Sequence, residues 1–266
     1  DILNFFKRKK EDKLNIFICT HKDFENYINN PVYKIVADDP SQLQQKYDLE
    51  VIFCDKSSRL KYWDKAYSEM SKIYYIYTLY KSGKMSSKYV GFNHYSRYFY
   101  FLNDIPDLDN IFKEYDVIIN DKLTLGEPNL RINYCKYHLC RNYDEMLGII
   151  KDIKPDYYET AKEVTKSNLL PCCNLFIMKK KDFLNYCEFM FDVLFEFDKR
   201  HNFNSVDDVR QYMSQYFRGA TLVYNTRLES FLSERISYIF YYKYFNLSKI
   251  KTIPFIYGVH NVKNIT

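Results

Sequence analysis

Five short apolar runs set the pattern of this chain: residues 15–19 (NIFIC), 49–54, 89–92, 116–119 (DVII) and 174–178 (NLFIM). Each is long enough for a buried strand and too short for a helix core. Helical periods lie between them. Over residues 63–80, aromatic and aliphatic side chains recur at three- and four-residue steps, and Gly83 follows as a stop. Strands alternating with helices predict an α/β fold with an at least partly parallel sheet. The last third reads as helical. Asp182 is placed to cap a helix whose Phe183, Cys187, Met190, Phe191 and Leu194 form one stripe. Ser205 and Asp208 make a capping box with Asp in place of Glu, and a third helix runs from about Thr226 through 237–245. The expected organisation is a basic leader or linker over 1–13, an α/β region over 14–180, and a helical subdomain and tail over 181–266. Together they form one compact domain.

Open α/β sheets bind ligands at the carboxyl ends of their strands. The first run exits into Thr20, His21 and Lys22, and the third into Asn93, His94 and Tyr95, while the fifth begins at Asn174. These polar ends are expected to converge on one crevice. The stretch 88–99 (KYVGFNHYSRYF) starts like a buried strand but ends in hydrogen-bonding, ring-stacking and cationic groups. Such a set suits a nucleotide, whose base stacks on Tyr or His while Lys22 or Arg97 meets phosphate. The simpler alternatives are a structural His94 and an Arg97 whose stem covers apolar surface. Near the C-terminus, Arg227, Phe231, Glu234 and Tyr238 fall at helical steps and share a face. Glu234 is then either paired with Arg227 or Arg235, or held to accept a proton.

Several chemistries lack their motifs. There is no GxxxxGK[ST], no GxGxxG and no GxSxG. Asp107 and Asp109 have the carboxylate spacing of metal-dependent sugar-nucleotide enzymes, although their context reads better as the capped start of a surface helix. Cys135, His138 and Cys140 match no standard zinc spacing. Seven cysteines, an odd number with Cys172 and Cys173 adjacent, do not suggest an extracellular disulfide framework, and free thiols in a reducing compartment are expected. The net charge of +5 is modest, and both signs are interspersed, so nucleic acid is not an expected partner. No run approaches the roughly 20 apolar residues of a bilayer span, and the opening DILNFFKRKKEDK does not read as a signal peptide. The chain begins with Asp1 rather than Met, so an upstream segment is expected to be missing. Lys7, Arg8, Lys9 and Lys10 read as a solvated leader, with acidic lipid at the inner membrane face as the alternative contact.

Taken together, the motifs resemble a family of bacterial capsular and exopolysaccharide glycosyltransferases, long catalogued as a domain of unknown function. KYVGFNHYSRYF is similar to its signature Y-[IV]-G-[LF]-x-H-Y-R-R-Y-F. NIFICTHK matches an opening strand ending in T-H-K, and 67–71 (YSEMS) stands where the family has Y-C-E-L-T. NLFIMKK matches N-M-F-I-M-K-K, residues 183–195 resemble its Y-C-E-W-L-F helix, and 231–235 (FLSER) matches F-L-S-E-R. The resemblance covers about residues 14–245.

It implies a GT-A-like nucleotide-sugar-binding sheet with a C-terminal helical, acceptor-side subdomain. The implied activity is cytoplasmic transfer of a hexose to a growing capsular, exopolysaccharide or lipopolysaccharide glycan. A UDP-hexose of the galactose type is the first-choice donor, and a glycan or lipid-linked glycan the acceptor. By position, Thr20, His21, Lys22, Asn93, Tyr95 and Arg97 bind the donor and Asn174 borders the sugar. Glu234 is the first choice of base and His94 the second, with Glu69 and Arg235 in support. His94 stands where related folds place an Asp-x-Asp metal motif. The absence of that motif leaves Mn²⁺ or Mg²⁺ use open; without a metal, Arg97, Lys22 and His94 stabilise the departing diphosphate. Ser96 replaces the first arginine of the family's pair, and 58–64 (SRLKYWD) departs from D-N-I-S-x-K-N. The rival reading is a non-catalytic glycan-binding or assembly module whose tyrosine-rich face stacks on sugar rings.

Overall fold

The computed structural model describes residues 11–258. Its first part contains β1 (Asp12–Cys19), β2 (Tyr33–Ala37), β3 (Glu50–Phe53), α1 (Asp64–Tyr67), α2 (Glu69–Lys81), β4 (Ser87–His94) and β5 (Arg97–Phe99). There follow α3 (Leu108–Glu114), β6 (Val117–Asn120), β7 (Leu123–Thr124), α4 (Leu130–Tyr137), α5 (Cys140–Ile153), α6 (Pro155–Thr165), β8 (Leu169–Leu170) and β9 (Phe176–Lys179). The last part is α7 (Lys180–His201), α8 (Val206–Ser214), α9 (Gly219–Asn225), α10 (Leu228–Tyr244), β10 (Ile250–Ile253) and β11 (Phe255–Tyr257).

The main sheet runs β10-β6-β9-β4-β1-β2-β3, with β5 and β11 attached beyond the end of β4. Its pairs β4–β1, β1–β2, β2–β3 and β10–β6 are parallel. β9 is antiparallel to both β4 and β6. The start of β9 therefore lies at the end of the sheet where β1 and β4 finish. Side chains alternate between two cores. Phe17, Val90 and Phe92 pack towards α2 and α7, whereas Ile16, Ile18, Tyr89 and Ile177 pack on the other face. Asn15, buried in β1, is satisfied by the Tyr80 hydroxyl, which also meets Ser87 of β4.

The five runs correspond to β1, β3, β4, β6 and β9. They omit β2, whose apolar stretch 35–37 is only three residues long. Residues 63–80 are not one helix: Ser68, at φ 49°, separates α1 from α2. Gly83 follows α2 at φ 73°, as its role as a stop requires. Asp107 caps α3 and the Ser205/Asp208 box caps α8. Asp182 instead lies within the first turn of α7, where it accepts a hydrogen bond from Tyr244. The helical C-terminal portion comprises α7 to α10, after which the chain returns to the sheet as β10, a step absent from the expectation.

Cys135 and Cys140 are disulfide-bonded across the α4–α5 turn, which corrects the expectation of free thiols there. His138, between them in sequence, stacks on Phe231 and meets Asn225. No helix among the described residues is long and apolar enough to cross a membrane. The basic stretch Lys7 to Lys10 lies outside the described residues.

Gly91, at the centre of β4, fits between β1 and β9 because it has no side chain. A Cβ there would lie 3.0 Å from Ile177 Cγ1 and 3.1 Å from Ile16 Cγ1. Gly91→Val is expected to destabilise the fold by about 1–3 kcal/mol through overpacking. Urea unfolding should show a lower midpoint at unchanged slope.

Candidate functional site at the strand exits

The parallel register places Cys19 beside His94, so the chain leaves β1 and β4 side by side. The backbone N–H of Tyr95 donates to the Cys19 carbonyl, and that of Thr20 to Val36. These contacts build one side of a cavity of about 570 Å³. Thr20, His21, His94, Tyr95 and Arg97 line it from the strand exits. Asp64, Ser68, Glu69 and Lys72 enter from α1 and α2, while Arg210, Val223 and Arg227 close the remaining wall.

Of the expected donor-binding residues, Thr20, His21, Tyr95 and Arg97 therefore meet in one place. Lys22 does not line the cavity; its ammonium group lies 5.4 Å from the Tyr95 ring centroid. Asn93 is buried behind the lining, where its Oδ1 accepts from the Phe99 N–H. Asn174, in the left-handed conformation at φ 52°, is also behind it. Its amide donates to Glu69 and Ser233 and accepts from Ser237.

The cations divide into paired and unpaired groups. Lys72 is buried against Asp38 at 3.1 Å and also meets Asp64, and Arg210 pairs with Asp207 at 2.7 Å. By contrast, Arg97 has a buried Nε with no partner, and Arg227 donates from its Nε to Ser68 Oγ at 3.1 Å. Among the described residues neither guanidinium meets a carboxylate. Two unpaired guanidinium groups facing one cavity make an anion site.

The histidines contribute no positive charge near neutral pH. Burial, with Arg97 nearby, lowers the His94 pKa to about 3. His21 is lowered too, mainly by desolvation. The His94 Nδ1 and Ser96 Oγ lie 2.9 Å apart. Tyr95 stands 4.4 Å from the His94 ring and 5.3 Å from that of His21, forming an aromatic corner at the cavity mouth.

Two carboxylates lie near the floor. Glu69 faces the cavity, accepts from Asn174 at 2.8 Å, and has its pKa raised, chiefly by burial. Glu234 lies outside the lining, where its oxygens accept from the Cys173 backbone N–H and from Arg235, each at 2.9 Å. Arg235 is buried and also donates to the Phe231 carbonyl and Asn133. Of the two cations offered to Glu234 by the helical spacing, Arg235 takes it and Arg227 turns to the cavity.

A divalent cation does not fit this donor set well. Asp64 is occupied by Lys72, and among the described residues no three of His, Cys, Asp or Glu converge. Asp107 and Asp109 are at the opposite end of the sheet: Asp109 is bound by Lys13 and Lys88, beside the starts of β1 and β4. That pair is therefore no part of this cavity. Sequence reasoning passed over Lys72 and Asp64. A lysine flanked by buried Ser71 and Ile73 is the signal available for the first, since lysine is almost never fully buried unless paired.

Residues 15–245 match the family model described as Domain of unknown function (DUF4422). The chain belongs to that family. No curated protein matches this DUF4422 chain. Among solved structures it is similar to the apo structure of the bifunctional glycosyltransferase WbbM, with a TM-score of 0.69 at 17% identity. That match covers 93% of this chain and 45% of the other, so the chain spans less than half the length of WbbM. The mannosyltransferase Ktr4p from S. cerevisiae also matches, at a TM-score of 0.33 and 13% identity, covering 67% of this chain and 60% of that one. The fold is GT-A-like, with a central, mostly parallel sheet.

The low His94 pKa has a measurable consequence. In NMR titration its imidazole is expected to remain neutral down to pH 5; a midpoint near 6.5 would reject the assignment. Because the unfolded chain takes up this proton near pH 6.5 and the folded chain does not, stability is retained above that pH. It falls on acidification towards pH 3, by up to about 1.4 kcal/mol per pH unit for one proton.

Proposed function

We propose that the chain is a glycosyltransferase that moves a hexose from a nucleotide sugar to a hydroxyl of a growing capsular, exopolysaccharide or lipopolysaccharide glycan. The observation that carries this reading is the unpaired pair Arg97 and Arg227 at the strand exits of a GT-A-like sheet. Pyrophosphate suits two guanidinium groups, and the base finds ring faces at Tyr95, His21 and His94. The likeness to WbbM, a glycosyltransferase by name, supports the same reading. A UDP-hexose of the galactose type remains the proposed donor, and a free or lipid-linked glycan the proposed acceptor. The reaction is placed in the cytoplasm, with the basic leader available for contact with the inner membrane face.

In this proposal the acceptor hydroxyl attacks the anomeric carbon and the diphosphate departs towards Arg97 and Arg227. Their charge stabilises the leaving group as it forms. Glu69 takes the acceptor proton, because it faces the cavity and burial brings its proton affinity up. Glu234, the first choice from sequence, holds the turn at Cys173. His94 is neutral and positions Ser96 and Tyr95.

A thermal-shift panel of UDP, GDP, CMP and their sugars at about 1 mM, with and without Mn²⁺, tests donor binding. One nucleotide is expected to raise the melting temperature selectively, and the same donor should be slowly hydrolysed. Absence of any shift would overturn the reading, while a shift without donor consumption would favour a binding module. Arg97→Ala and Arg227→Ala are each expected to weaken binding by about 10–100-fold, read by calorimetry. Glu69→Gln should lower turnover by about 100-fold or more with donor binding retained, and Glu234→Gln by less. A larger loss in Glu234→Gln would exchange the two roles.

A further inference from the structure

Cys172 and Cys173 stand side by side in the turn before β9. The Cys173 thiol donates to the Cys172 sulfur at 3.1 Å. Cys173 and Asn174 are consecutive left-handed residues, at φ 74° and 52°, a conformation that residues other than glycine adopt at a cost. That strained turn carries both carboxylate contacts of the floor. The Cys173 N–H binds Glu234, and the Asn174 side chain binds Glu69.

The two sulfurs are also chemically unequal. The hydrogen bond from Cys173, helped by the charge of Arg97, lowers the Cys172 pKa against the effect of burial and Glu234. Cys173, as donor, is raised. The buried thiols of Cys19, Cys54 and Cys187 are instead raised by desolvation. A thiol whose pKa is lowered, beside a second thiol that can resolve it, is the pairing found at oxidation-sensitive sites.

We propose that Cys172 and Cys173 form a hydroperoxide-sensitive modification site, closing to a vicinal disulfide that resets the turn holding Glu69 and Glu234. The Cys172 thiolate attacks hydrogen peroxide, forming an S–O bond as the O–O bond breaks. The hydroxide released takes up a proton to become water. The Cys173 sulfur then attacks the Cys172 sulfenic acid, forming the S–S bond as the S–O bond breaks, and a second water leaves with the Cys173 proton. Two thiols are oxidised by two electrons and one peroxide is reduced to two waters. The sulfurs must approach to about 2.0 Å, a movement of roughly 1 Å. The turn shifts with them, and the lengths of both carboxylate contacts change. Formation of the disulfide is independent of the function proposed above; its effect on ligand binding rests on that reading.

The full chain is treated with equimolar hydrogen peroxide, denatured in N-ethylmaleimide, digested and weighed by mass spectrometry. The peptide containing both cysteines is expected to lose two hydrogens and escape alkylation, with reversal by dithiothreitol. Closure should be at least about tenfold faster in the folded chain than in urea. In Cys173→Ser, dimedone should trap a sulfenic acid at Cys172. Alkylation of both thiols, or equal rates in folded and urea-unfolded chains, overturns the proposal. The thermal shift produced by UDP is then compared in the reduced and oxidised chains, and at least a threefold loss of affinity on oxidation is expected. Equal binding by both forms overturns the coupling to the turn. Binding of no nucleotide by either form overturns the functional reading and leaves the disulfide result standing.

Discussion

The arrangement of the site depends on one buried ion cluster. Lys72, one turn into α2, is only 1% exposed and lies between Asp38, just past β2, and Asp64 in α1. An ammonium group is retained at such depth only with close countercharges, and here they come from two other segments. The cluster therefore joins the sheet end to the broken α1–α2 segment. It fixes the direction from which Glu69 and Ser68 enter the cavity. It also neutralises Asp38 and Asp64 internally, which leaves Arg97 and Arg227 without acidic partners. The positive character of the cavity follows from how the carboxylates are assigned, more than from the number of cations.

A second buried cluster lies behind this wall. Asp198 of α7 accepts a hydrogen bond from Tyr67 of α1 at 2.6 Å, and Glu229 of α10 is in contact with the same carboxylate. Burial raises both acids, Asp198 to about 6 and Glu229 well above the ordinary range. Of the two devices, only the lysine cluster borders the cavity.

Much of the sheet was legible because its strands are apolar on both faces, and such runs stand out even without alternation. β2 was not, because Tyr33 and Lys34 interrupt its pattern and leave three apolar residues. β10 and β11 were hidden for a related reason: they are edge elements of four and three residues, and only Ile253 among them is buried. The strand exits could be read from the general rule for α/β sheets, and Thr20, His21, His94, Tyr95 and Arg97 do meet. The partition between Glu69 and Glu234 could not. Spacing along α10 places Glu234 on a face but cannot show that Cys173, which precedes β9, closes over it. Nor can spacing reveal that Arg235 rather than Arg227 turns towards that carboxylate. Such choices are made by long-range packing, which no local period encodes.

The cavity has walls of different kinds. Its floor is formed by strand ends fixed by the register of the central sheet, where a change at one position disturbs several neighbours. The opposite wall comes from α8 and α9, short helices that carry Arg210 and a Val223 that is 72% exposed. Substitutions there meet few packed neighbours. Exposed positions on α8 and α9 can change what approaches the open side without disturbing the register of the strand ends. The same α8 also sends Val209 and Met213 into the core, so within one helix the positions open to change alternate with positions that are not.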